Sequence, residues 1–138
     1  MPLPSIDVTR DGDIATVALN NPGKLNAITV AMWGQLARAM RELSADEGLR
    51  CIVLRGAGDE AFAAGADIAE FASVRNDFAQ GKVYHLEYVA GALEAVGECR
   101  HPTVALIKGP CVGGGLEIAC QCDLRISGRS GRFGVPIN

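Results

Sequence analysis

The chain has 138 residues, 49% of them apolar and 21% charged, with a formal net charge of -3. That length and mix suit one globular domain with a real core and are short for two. The 13 lysines and arginines are scattered and no apolar run reaches bilayer length, which argues against nucleic acid, an anionic surface or a membrane span as partner.

The first predicted element is a β-hairpin. In SIDVTRDGDIATVALN two alternating runs flank Asp11-Gly12, a turn dipeptide; Ile6 and Val8 share one face of the first strand, and Ala15, Val17 and Leu19 one face of the second. NPGKLNAIT follows as a loop, broken by Pro22 and Gly23. Thr29 then reads as the N-cap of a helix running to about Ala45, with Met32, Leu36, Met40 and Leu43 on its apolar face. CIVLRG at 51–56 is a short buried strand, and AGDEAFAAGADIAEF a small-residue loop leading into a helical segment.

The polar stretch 73–82 reads as a loop within one domain. A second amphipathic helix is predicted over 80–99, burying Val83, Leu86, Ala90, Leu93 and Val96, with Pro102 closing that region. TVALI at 103–107 is a buried strand, followed by a glycine triplet, a helix to about Cys122 and the strand LRISG. Strands alternating with helices make an α/β protein, with a ββα opening in place of plain βαβ alternation.

Five cysteines (Cys51, Cys99, Cys111, Cys120 and Cys122) with no regular framework predict reduced thiols in a cytoplasmic setting. The opening MPLPSIDVTR lacks the basic-then-apolar order of a secretory leader. Cys120 and Cys122 could begin a metal site, but no second Cys or His pair accompanies them, so buried small hydrophobes are the expectation and no metal is predicted.

The chemistry concentrates at GPCVGGGLEIACQCD, residues 109–123. A helix that starts in glycines presents free N–H groups with no Cβ in the way, and the helix dipole turns its positive end there. Such a junction suits a phosphate, a carboxylate or an oxyanion formed in acyl or enolate chemistry. No Lys follows the triplet as a Walker loop requires, the spacing is not G-x-G-x-x-G, and the other parts of a kinase loop are missing.

Glu117 in the first helical turn is either a solvated partner of the dipole or a general acid or base beside the oxyanion donor; burial against apolar neighbours would raise its pKa. AFAAGADI at 61–68 is a second small-residue loop after a buried strand, in which Gly65-Ala66 could present another N–H donor and Asp67 reads as a helix N-cap. If both loops meet at one end of a sheet, two N–H groups would fall on one carbonyl oxygen.

NNPGKLNAIT, AFAAGADIAEF and GPCVGGGLEIACQCDLRIS stand in the order and spacing of the crotonase superfamily, the enoyl-CoA hydratase/isomerase family, and the chain resembles it over nearly its whole length. The resemblance implies a spiral of ββα units that binds an acyl-CoA thioester as substrate, with no other cofactor. Ala66 and Gly114 would form the oxyanion hole, and Glu117 would match the first catalytic glutamate. Lys24, Leu25 and Ala27, in the loop through Asn26, would help hold coenzyme A. Lys24 would meet a phosphate or stand as a solvated loop lysine, while Ala64, Asp67 and Ile68 would lie near the adenine and pantetheine end.

Two departures follow from the same comparison. Ile137 stands in FGVPI where hydratases carry a second glutamate; Ile cannot transfer a proton, which argues against ordinary two-glutamate hydration and leaves isomerisation, decarboxylation or thioester hydrolysis as chemistries for one acid. Relatives of this kind also continue into C-terminal helices, so residues 1–138 are expected to be a single crotonase-like domain truncated at its C-terminus. It would expose apolar surface and work as a homo-oligomer (trimer or hexamer) or with a missing C-terminal half. The alternatives are a non-catalytic CoA-thioester binding or assembly protein, or an inactive fragment.

Overall fold

The computed structural model describes residues 2–70 and 77–136. Strands β1 (Ser5–Asp11) and β2 (Ile14–Asn20) form the predicted antiparallel hairpin, with Ser5 opposite Asn20 and Asp11 opposite Ile14. Gly12 takes φ +62° in the turn, a left-handed conformation that glycine adopts without steric cost. β2 then pairs in parallel with β3 (Cys51–Gly56), β3 with β4 (Thr103–Ile107), and β4 with β6 (Leu124–Ser127), giving the sheet order β1-β2-β3-β4-β6.

One face of this sheet is dry. Ala15, Val17, Leu19, Ile52, Leu54, Ala105 and Ile107 are buried on it, alternating with more accessible residues as the pleat dictates. Against it packs α1 (Val30–Ala45), through Met32, Trp33, Leu36 and Met40. Each fully buried Leu or Ile here contributes about 1.5–3 kcal/mol relative to exposure. Thr29 caps α1 as expected, its hydroxyl accepting from the Met32 N–H at 3.1 Å. Leu43 is only partly buried, at the helix end.

The second helical region differs from the expectation. It begins at Phe78 behind the N-cap Asp77, within the stretch expected to be loop, and runs as α2 (Phe78–Val83), a π turn (Tyr84–Val89) and α3 (Ala90–Gly97). Residues 73–76 of the expected loop lie outside the described residues. A π turn closes i to i+5, so residues before and after it no longer share one face at a 3.6-residue period. Accordingly Val83 and Leu86 are exposed, while Tyr84 and Val89, five apart, are buried with Ala92, Ala95 and Val96. Ala90 and Leu93 are half-buried.

The triplet opens α4 (Gly114–Gln121) as predicted. Two strands were not foreseen: β5 (Pro110–Val112) and β7 (Arg132–Gly134) pair in parallel as a small second sheet. Three residues are too few to show a period, so these strands carry no sequence signal. Leu124, Ile126, Phe133 and Val135 are exposed along β6 and the segment around β7. No helix among the described residues is long and apolar enough to cross a membrane.

Candidate active site

The two glycine loops meet. A Cβ built on Gly113 would lie 3.8 Å from Cα of Gly65, so the backbones turn past each other almost in contact. Both residues have positive φ, +54° at Gly113 and +108° at Gly65, which keeps side-chain-bearing residues out. Gly115 is needed for another reason: a Cβ there would fall 2.5 Å from the carbonyl oxygen of Ala63. Main-chain hydrogen bonds hold the junction from two sides. Ala63 and Cys111 form a parallel bridge with Val112 N–H on Ala63 O at 3.0 Å, and Gly113 N–H donates to Gly134 O at 2.9 Å.

Ala66 is placed by a second one-residue bridge, to Ile28. Ile28 N–H donates to Gly65 O at 2.7 Å, and Asp67 N–H to Ile28 O at 2.9 Å. In a parallel ladder those bonds use the residues flanking Ala66, so its own N–H turns the other way. Gly114, first residue of α4, has no intrahelical acceptor for its N–H. No described residue accepts from either N–H. Both residues line one cavity of about 470 Å³, together with Ala64, Gly65, Ile68, Gly113 and Glu117.

Glu117 reaches this cavity from the first turn of α4, its N–H bonded to Gly113 O at 2.9 Å. The expected burial is not found: Glu117 is exposed, because none of the described residues lies over its side chain. The cavity wall also includes Trp33 from α1 and Tyr84, His85 and Val89 from the π turn. The indole N–H of Trp33 donates to the Tyr84 hydroxyl at 3.2 Å, and the Tyr84 and His85 rings meet edge-on with centroids 5.0 Å apart. Sequence reasoning missed these wall residues. A lone histidine beside a tyrosine carries no motif, and the π turn that brings it to the cavity is not written in any periodicity. Ile137 lies outside the described residues.

A second cavity of about 350 Å³ is lined by Lys24, Ala27, Ala64, Ala66, Asp67 and Ile68, sharing three residues with the first. Five expected coenzyme-A residues are thus brought together, whereas Leu25 lies outside both linings; its carbonyl oxygen accepts from Ala64 N–H at 3.0 Å. The buried Asp67 caps the following turn by accepting from Ala69 N–H at 3.1 Å, and pairs with Lys24 at 3.3 Å. Asn26, buried with φ +56°, donates through its side-chain amide to the carbonyls of Ala57 and Ala61 and accepts from Asn21 N–H. That amide ties the 21–27 loop to the loop that carries Ala66.

Cys120 is exposed and Cys122 buried, and the described residues hold no group of three or more His, Cys, Asp or Glu placed to hold an ion. Burial pushes the Cys111 thiol up to about 12 and that of Cys122 to about 11.

A sheet of mostly parallel strands with a helix packed on one face, and two glycine loops that meet at one cavity, place this chain among the crotonase-type α/β folds. An enoyl-CoA hydratase/carnithine racemase structure from Magnetospirillum magneticum superimposes with a TM-score of 0.94 at 52% identity, covering 96% of this chain and 49% of that one. YngF of Bacillus subtilis is 35% identical over 127 residues, 92% of this chain and 48% of its own length. The short-chain-enoyl-CoA hydratase of Clostridium acetobutylicum is 32% identical over 138 residues, 99% of this chain and 51% of its own. With the enoyl-CoA hydratase/isomerase family model matching residues 9–137, the chain belongs to that family. It spans about half the length of the curated relatives it matches.

Proposed function

We propose that this chain supplies the thioester site of an acyl-CoA enzyme that hydrates or isomerises enoyl-CoA. The observation that carries the reading is one cavity lined by Ala66, Gly114 and Glu117, in which the first two hold main-chain N–H groups that no described residue accepts from. Two such donors on a thioester oxygen stabilise the negative charge that builds there as the carbonyl becomes an enolate, and they need no reorganisation to do so. The N-terminal end of α4 adds its dipole to the same oxygen. Glu117, one turn along, moves the proton. Lys24 and Asp67, beside the adjoining cavity, are the polar groups available to the coenzyme-A moiety.

The test is turnover of short-chain enoyl-CoAs by the protein and by its Glu117→Gln variant, with acyl-CoA binding followed by calorimetry. Loss of turnover by about 10²–10⁴ with binding retained supports the role of Glu117. Equal turnover removes it, and binding with no turnover of any thioester by the unaltered protein favours a binding protein.

A further inference from the structure

Addition of water to an enoyl thioester requires two proton movements, one off the water and one onto C2. The described cavity wall offers few groups to divide them. Of its side chains only Glu117, Tyr84 and His85 titrate; Trp33, Ala64, Ala66, Ile68, Val89, Val135 and Pro136 do not. Tyr84 is buried and its hydroxyl already accepts from the Trp33 indole. His85 is exposed, and it comes from the π turn while Glu117 comes from α4, so the two enter one cavity from separate elements. The Tyr84 ring, edge-on at 5.0 Å, braces the imidazole on its own element.

We infer that His85 is a second catalytic residue of this cavity and supplies the proton that C2 receives. The inference rests on the thioester reading above. The Glu117 carboxylate takes a proton from water as the water oxygen bonds to C3; the C2–C3 π pair moves to C1–C2, and the carbonyl pair moves onto oxygen at Ala66 and Gly114. The enolate then collapses: the carbonyl re-forms, and the C1–C2 pair takes a proton from the His85 imidazolium. Glu117 ends protonated and His85 neutral, and a proton passed between them through water restores both. His85 must be charged and Glu117 ionised at the start, so kcat rises with pH as the carboxylate ionises and falls as the imidazolium is lost.

The experiment measures enoyl-CoA hydration across pH in the full-length natural protein, in Glu117→Gln and in His85→Gln, with His85→Gly assayed with and without added imidazole. The expected result is a fall in kcat of about 10² or more in His85→Gln with KM nearly unchanged. The alkaline limb of the profile disappears, and imidazole restores part of the activity of His85→Gly. Because His85 is exposed, a packing role would produce neither the lost limb nor the rescue. Wild-type kcat and profile in His85→Gln, with Glu117→Gln inactive, overturn the His85 assignment and leave the thioester reading standing. Absence of both turnover and acyl-CoA binding in the unaltered protein overturns that reading and this inference together.

Discussion

Trp33 sits against Gly114 so closely that a Cβ on the glycine would come within 2.9 Å of Cζ2 of the indole. The ring has little room to retreat: it is fully buried, and its N–H is engaged with Tyr84. The aromatic wall and the proposed oxyanion donor are therefore one packing unit. Gly114→Ala is expected to cost about 1–3 kcal/mol of stability through overpacking, read as a shift in urea midpoint. Displacing the N–H should also lower turnover by about 10²–10³. A variant with the stability loss and full turnover would show that this N–H does not face the thioester.

Asn26→Leu tests the tie between the two loops. Its amide holds two carbonyls and one N–H out of solvent, and its φ of +56° is tolerated better by Asn than by a branched residue. Removing it leaves those groups unpaired, and a loss of about 2–3 kcal/mol is expected in chemical unfolding. Turnover should fall as well, since Ala66 is on the loop that Asn26 restrains.

Lys24→Met should change stability by less than about 1 kcal/mol, because its pair with Asp67 is half-exposed on the lysine side. If the amine meets a coenzyme-A phosphate, the variant raises KM several-fold and leaves kcat unchanged. Thioesters of dephospho-coenzyme A provide the control: they should distinguish the unaltered protein from Lys24→Met less than the full coenzyme does.

Alkaline pH is expected to destabilise the fold through Cys111. In the unfolded chain the thiol ionises near its ordinary value of 9.0, whereas burial holds it protonated to about 12 in the folded state. Between those values the unfolded chain binds fewer protons, so stability falls as pH rises; below about 9 both states are protonated and the group contributes no slope. Urea midpoints at pH 8, 10 and 11 should show a shallower decline in Cys111→Ala. Thiol labelling at pH 8 should reach the exposed Cys120 before Cys111.

The hairpin, α1 with its Thr29 cap, strands β3, β4 and β6, and the helix after the triplet were legible because each carries a period or a turn dipeptide of its own. The meeting of the two glycine loops, which brings Ala66, Gly114 and Glu117 to one cavity, was legible in their small residues, although the exposure of Glu117 was not, since burial depends on what lies over a side chain. Val83 and Leu86 were misplaced because one π turn shifts the helix face, and that same turn concealed His85. β5 and β7 escaped because three-residue parallel strands exist only through their pairing.

The bridges Ile28–Ala66 and Ala63–Cys111 fasten residues 63–66 from both sides using main-chain atoms alone. The direction of the Ala66 N–H is thereby uncoupled from the side chain that Ala66 happens to carry. A larger residue there could reshape the room for an acyl group while the hydrogen-bond donor stays where it is. On the proposed thioester reading, substrate range and oxyanion stabilisation can thus diverge independently on this scaffold: one is written in side chains, the other in the course of the backbone.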